Sequence, residues 1–415
     1  MALSAFSHFR SLKVTSLLAL LMVALFMPSE AVAQKAKKAA YKKTYVSDME
    51  AFIKEAQINY PFWDLKDLRK GWKAKKKDLE KRAKKCKTDV EFIRLVYEGM
   101  GYLRDAHMYM TECKIEMPRG EPSYYTGISF MEATDGRVVV MHPPEGQGAS
   151  LKSGSVVLTI NGKDARKFLD KRGEETWENG GGFSSPQRAT LFEYRTALSG
   201  ERGDKFEVVA LVGKKKKKVK LSARTEISGW PRSYNLPADL KKVGKSFYYS
   251  KLESGYGYMY LRRVDSSIPQ GMKEALAAHA DVPGWVIDLR GNSGGGYGDD
   301  LVNQVKAVGK PTVVIGDAGC ISAGETLIRD FIRYADARFI GTKTAGSSSS
   351  KKEWQFPSGI ATVKFSTRSR YGPDGEPIEF NGIQPHEVVE AVPEEVQAGE
   401  NSEILRAVEY LQSNS

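Results

Sequence analysis

The sequence predicts a mixed α/β plus β protein in three parts: a helical N-terminal region, a small β-rich module and an α/β layered core. Three observations carry this. Apolar residues recur at helical spacing between residues 45 and 106, and β-branched runs bounded by tight turns fill residues 123 to 225. From Ser246 onward, strand-like runs alternate with helical patterns. A length of 415 residues accommodates two or three domains with ample core.

The first segment stands apart. Arg10 and Lys13 precede an apolar run from Val14 to Met27, followed by Ala31-Val32-Ala33 before Gln34. Basic residues, a short apolar stretch and small residues in that order predict a cleavable signal peptide over residues 1–33, hence a periplasmic or secreted protein that starts at Gln34. An uncleaved anchor is the alternative.

Residues 34–122 are the helical region. Lys35 to Lys43 reads as a leader, and Lys66 to Lys87 alternates bases with Trp72 and Leu79 as a solvated helix does. Thr88-Asp89-Val90-Glu91 has the form of a capping box, with Val90, Ile93, Tyr97, Met100 and Leu103 following on one face. That helix delivers Leu103-Arg104-Asp105-Ala106-His107 at its C-terminal end.

Residues 123–225 form the β-rich module. Val138–Val140, Val156–Ile160 and Val208–Leu211 are strand-like, Asn161-Gly162 is a tight turn, and Lys214–Lys218 beside Gly213 marks a hairpin. Residues 226–245, with Gly229, Pro231 and Pro237, read as a linker. The core, 246–398, has strand candidates at Tyr256–Leu261, Trp285–Leu289, Thr312–Ile315 and Ala337–Ile340, and residues 399–415 read as a closing helix.

The formal net charge is +12, and removal of the first 33 residues lowers it by one. The basic clusters lack interleaved stacking aromatics or a recognition motif, so no nucleic-acid partner is expected; solvated faces, with association to an anionic envelope surface, fit better. Cys86, Cys113 and Cys320 are an odd count that allows at most one internal disulfide, a Cys86–Cys113 pair being one option. No metal-ligand spacing appears among the cysteines and five histidines, nor a phosphate-binding loop of the Lys-Ser/Thr type. A chemistry without metal or cofactor is expected.

Two loops remain. Ser322, in Ala318-Gly319-Cys320-Ile321-Ser322-Ala323-Gly324-Glu325, lies between an apolar strand and a helix whose apolar face is Leu327, Ile328, Phe331 and Ile332. At a helix N-terminus the N–H of Ala323 is unpaired and the dipole favours an oxyanion. A serine there is either a helix cap or a nucleophile, and the pattern alone leaves both open. The glycine run in Asp288-Leu289-Arg290-Gly291-Asn292-Ser293-Gly294-Gly295-Gly296 follows the preceding strand; it is either a surface loop or a second source of oxyanion donors.

These two loops, with Gly341-Thr342-Lys343-Thr344-Ala345-Gly346 and Gly382-Ile383-Gln384-Pro385, resemble the carboxyl-terminal processing (tail-specific) serine peptidase family in order and spacing. The β-rich module resembles that family's PDZ-like domain through Gly127-Ile128, Pro143 to Ala149 and Leu158–Gly162. The resemblance implies a crotonase-like α/β core. Members with a Ser/Lys dyad carry lysine where this chain has Ser347, so another base is needed; Lys351 and Lys352 are out of register. In the tricorn-core-like branch the base is a histidine from the helical region and a late glutamate completes the set. Leu103–His107 and Pro377-Ile378-Glu379-Phe380-Asn381-Gly382 resemble those segments.

The resemblance therefore implies Ser322 as nucleophile, His107 as general base and acid, Glu379 orienting the imidazole directly or through water, and oxyanion donors from Ala323 and from Gly294 or Gly295. Protein or peptide substrates follow. Glu325 is expected to support the nucleophile loop, and His142, His279 and His386 have no supporting motif. The interphotoreceptor retinoid-binding proteins resemble the same fold while carrying apolar ligands, so a binding protein is the competing expectation.

Overall fold

The computed structural model describes residues 41–414 apart from 119–121, 145, 147–149, 181, 228–233 and 297–300. The expected signal peptide, Gly229 and Pro231 of the expected linker, and part of Pro143 to Ala149 lie outside the described residues. Among the described residues, no helix is long and apolar enough to cross a membrane.

The helical region is three helices, α1 (Tyr41–Asn59), α2 (Arg69–Ala83) and α3 (Asp89–Tyr102). Thr88 accepts the N–H of Glu91, while the Glu91 carboxylate takes the N–H of Lys87 rather than that of Thr88, so the cap is displaced by one residue from the reciprocal box. The basic run does not lie wholly on a solvated face. Lys66 precedes α2, in the turn after α1, and its side chain is fully buried.

The segment after α3 leads into the strand Tyr109–Cys113, which pairs antiparallel with Ala361–Ser369; that strand in turn pairs with Ser349–Gln355. Phe356, Val363 and Phe365 of this hairpin share one apolar cluster with Phe52, Phe92, Leu79 and Trp72 of the three helices. Two segments some 240 residues apart in sequence are thus sealed together by one aromatic core, with Phe52 against Phe356 and Phe365 at ring-centroid distances of 6.2 and 5.7 Å.

The β-rich unit is a six-stranded antiparallel sheet that includes Val138–His142, Val156–Ile160 and the hairpin Lys205–Val212 with Lys215–Ser222. Asn161 and Gly162, both at positive φ, make the expected tight turn. Lys215 to Lys218 are all exposed, on the strand at the edge of the sheet.

The core sheet has seven strands in the order Lys241–Val243, Phe247–Lys251, Gly257–Leu261, Trp285–Asp288, Thr312–Gly316, Arg338–Gly341, Glu387–Val388. The first two pairings are antiparallel and the remaining four parallel. Helices Ile268–Ala278, Leu301–Val308 and Ala323–Ala335 cover one face and Ser402–Ser413 the other. Both faces are covered, so the central strands read as unbroken apolar runs. The glycine loop and the Ser322 loop follow adjacent parallel strands and therefore emerge at the same sheet edge. Cys86, Cys113 and Cys320 are free, so the Cys86–Cys113 bridge that the sequence allows is not formed.

Candidate active site

Ser322 is the residue before helix Ala323–Ala335, with φ 56° and ψ −120°, a conformation sparsely populated by residues other than glycine. Its surroundings hold it there. The Ser322 N–H is shared between the carbonyl of Ser347, at 2.9 Å, and Oε2 of Glu325, at 3.1 Å. Glu325, fully buried, also accepts the hydroxyl of Thr344 at 2.7 Å and the N–H groups of Gly346 and Ser347 at 2.7 and 2.9 Å. Burial pushes its carboxyl up to about 7, and those hydrogen bonds oppose the rise. Glu325→Ala would leave several buried donors unpaired, and we expect it to cost about 3 kcal/mol, read as a lowered midpoint in urea unfolding, with labelling of Ser322 lost in parallel.

His107 reaches Ser322 from the far end of the sequence. Nε2 lies 3.1 Å from Oγ of Ser322, across 215 positions of chain. The imidazole is held by the strand pairing that begins at Tyr109 and by the carboxylate of Asp105, which accepts the His107 backbone N–H at 2.8 Å. Burial lowers the His107 pKa to about 3, Lys351 and Lys66 adding to the effect and Asp105 opposing it. The ring is therefore neutral at physiological pH and able to accept a hydroxyl proton.

Glu379 is buried close to the imidazole. Donor atoms of Asp105, His107 and Glu379 all lie within 4.8 Å of one another, and among the described residues they are the group whose types and spacing could hold a metal ion. An ammonium already occupies part of that role, because Lys66 Nζ binds Glu379 Oε1 at 2.7 Å. Oε2 takes the N–H of Ser348 at 3.0 Å, and the Ser184 hydroxyl also hydrogen-bonds the carboxylate. No direct hydrogen bond joins Glu379 to His107. Nδ1 of His107 and Oδ2 of Asp105, both buried, have no hydrogen-bond partner among the described residues. Burial raises the Glu379 carboxyl to about 8, with Lys66 pulling it down and Asp105 pushing it up.

The two glycines proposed as oxyanion donors differ. The N–H of Gly294 is taken by the side chain of Asn292 at 2.9 Å, whereas no hydrogen bond among the described residues takes the N–H of Gly295 or Ala323. Gly294 instead provides closeness: a Cβ there would lie 2.7 Å from that of Ser322. The other titratable candidates have other partners. His386 Nδ1 accepts the N–H of Phe339, His142 bonds Ser129, Lys352 pairs with Glu55, and burial raises the Cys320 thiol well above its ordinary range.

Sequence reasoning assigned no role to Lys66, Ser184 or Asn292. Asp105, two residues before His107, carried a usable signal, an acidic side chain beside a candidate base. Lys66 carried none, being one base in a basic run.

No curated protein matches the sequence. Among solved structures, mature CPAF superposes over 90% of this chain and 98% of its own with a TM-score of 0.61 at 14% identity, and mature CPAF complexed with lactacystin over 90% and 97% with 0.57 at 13%. Likeness at such identity speaks for the fold, a mixed α/β architecture shared along the chain. The family description Peptidase family S41 matches residues 296–389, a span holding the Ser322 loop, Gly346 and Glu379. The sequence signature of that segment and the fold agree on a serine-type peptidase, similar over residues 296–389 to Peptidase family S41.

Proposed function

We propose that the protein is an exported endopeptidase that cleaves peptide bonds through an acyl-enzyme on Ser322. His107 Nε2 takes the Ser322 proton as the hydroxyl attacks the scissile carbonyl, and returns it to the leaving amine. Water then attacks the ester, with His107 as base again. Glu379 is the orienting carboxylate, acting across the short gap to Nδ1 together with Asp105. The N–H groups of Ala323 and Gly295 receive the oxyanion, and Gly294 lets the loop close on the nucleophile. The observation that carries the reading is the 3.1 Å approach of His107 to a serine in a strained turn at a helix N-terminus.

The β-rich unit is proposed as PDZ-like and able to take an extended peptide on a strand edge, and the seven-stranded unit as a crotonase-like core. The apolar run before Gln34 supports export, and the exposed lysines at Lys215–Lys218 support contact with an anionic envelope surface.

The test is fluorophosphonate labelling of the chain beginning at Gln34, alongside Ser322→Ala, with digestion of an unfolded protein in parallel. Both signals are expected in the wild type and neither in the variant. Labelling that persists in Ser322→Ala would displace the assignment to another hydroxyl, and a wild type inert in both assays would favour a binding role.

A further inference from the structure

Lys66 is an unusual place for a positive charge. Its side chain is fully buried, against a cost of several kcal/mol for an unpaired ammonium. All three of its N–H groups are used: on Oε1 of Glu379 at 2.7 Å, on the carbonyl of Arg104 at 2.7 Å and on the hydroxyl of Tyr60 at 3.1 Å. The rings of Tyr60 and Phe62 flank it at 5.7 and 5.3 Å. Its partners are the glutamate of the peptidase core and the backbone just before Asp105 and His107. One side chain from the helical region therefore ties both halves of the candidate site together.

The charge arithmetic explains why a cation is needed. Asp105 and Glu379 are buried beside the same imidazole, where burial and Asp105 push the Glu379 carboxyl up and Lys66 pulls it down. The Lys66 ammonium favours the charged form of Glu379, whose negative charge offsets the positive charge His107 acquires when it takes the Ser322 proton. Neutralise Lys66 and Glu379 keeps its proton to higher pH, so the imidazolium loses that stabilisation over a wider range.

We infer that Lys66 is a positioning residue of the peptidase reaction, whose ammonium holds Glu379 in place and favours its charged form beside His107. The inference rests on the reading of Ser322, His107 and Glu379 as the reacting set. The groups facing Glu379 are Lys66 and Tyr60 from the helical region, Asp105 and His107 from the segment after α3, Ser184 from the segment before helix Pro186–Arg195, and Ser348 and Lys351 from the core hairpin. Of these, Lys66 is the largest influence lowering the Glu379 pKa.

The experiment compares wild type, Lys66→Met, Lys66→Arg, Glu379→Gln and the double variant Lys66→Met/Glu379→Gln, reading kcat/KM for a peptide from pH 5 to 10 together with thermal unfolding. In Lys66→Met the acid-side limb is expected to move up by about one unit or more, a loss of roughly tenfold near neutrality that recovers at high pH. Lys66→Arg, which keeps the charge, is expected to leave the limb near its wild-type position. The double variant removes the Lys66–Glu379 ion pair as a unit, and it is expected to fold and to be no slower than Glu379→Gln alone. Should Lys66→Met fail to fold, the arginine and double variants still decide. An unmoved limb in Lys66→Met, a limb in Lys66→Arg displaced as far as in Lys66→Met, or losses that multiply in the double variant would overturn the inference and leave Lys66 as packing. Labelling that survives Ser322→Ala would instead sink the underlying assignment, independently of any Lys66 result.

Discussion

His107→Ala is expected to lower kcat/KM by roughly 10⁴- to 10⁶-fold, and combining it with Ser322→Ala should cost almost nothing more, because the two side chains act as one unit. The 3.1 Å contact makes His107 the base that Ser322 has in reach. Its protonation state shapes the pH profile. Burial keeps the imidazole neutral down to about pH 3, so the base is ready across the neutral range and no limb is expected near 6.5. The carboxyl that must lose a proton is Glu379, raised to about 8, so activity should climb with pH through that region and fall away as Glu379 takes up a proton below it. A steady-state profile with a single limb at 6.5, abolished in His107→Ala, would mean that the imidazole titrates as an exposed group and that the dry site described above opens in solution.

Gly294→Ala is expected to reduce kcat by roughly 10²- to 10³-fold with little change in KM. The position has φ 69°, and the added methyl carbon would lie 2.7 Å from Ser322 Cβ and 3.0 Å from the carbonyl oxygen of Ile321. Ser322 cannot retreat without abandoning the hydrogen bonds of its own N–H to Ser347 and Glu325. The glycine loop must therefore back away, taking the Gly295 N–H with it. Gly296→Ala is the comparison, since a Cβ there meets nothing within 4 Å, and it is expected to have the milder effect. A Gly294→Ala enzyme that keeps wild-type kcat would show that the loop carries no part of the oxyanion stabilisation.

What the sequence revealed and what it hid divide along physical lines. Strands Gly257–Leu261, Trp285–Asp288 and Thr312–Gly316 are buried on both faces, so their apolar runs were legible, and the two loops that follow the last two of them gained meaning from their order and spacing together. The destination of residues 349–369 was not legible. Their chain position puts them in the core, but Phe356, Val363 and Phe365 pack with the N-terminal helices, and nothing local in a strand announces a partner 250 residues away. Lys66 was hidden for a different reason: burial of a lysine depends on the carboxylate it meets, and Glu379 is 313 positions distant. The choice between Gly294 and Gly295 as donor turned on one side-chain contact from Asn292, below anything that spacing can express.

The pairing of Tyr109–Cys113 with Ala361–Ser369 also sets a clock. A ribosome releases His107 early and Glu379 late, and between the two lies most of the polypeptide. Until the hairpin emerges and closes on the first three helices, the imidazole has no hydroxyl to face and the nucleophile loop lacks Gly346 and Ser347 to brace it. On the proposed assignment, a copy that ends before Glu379 lacks a complete site, so hydrolytic power is withheld from the growing chain until the last third of the molecule has emerged.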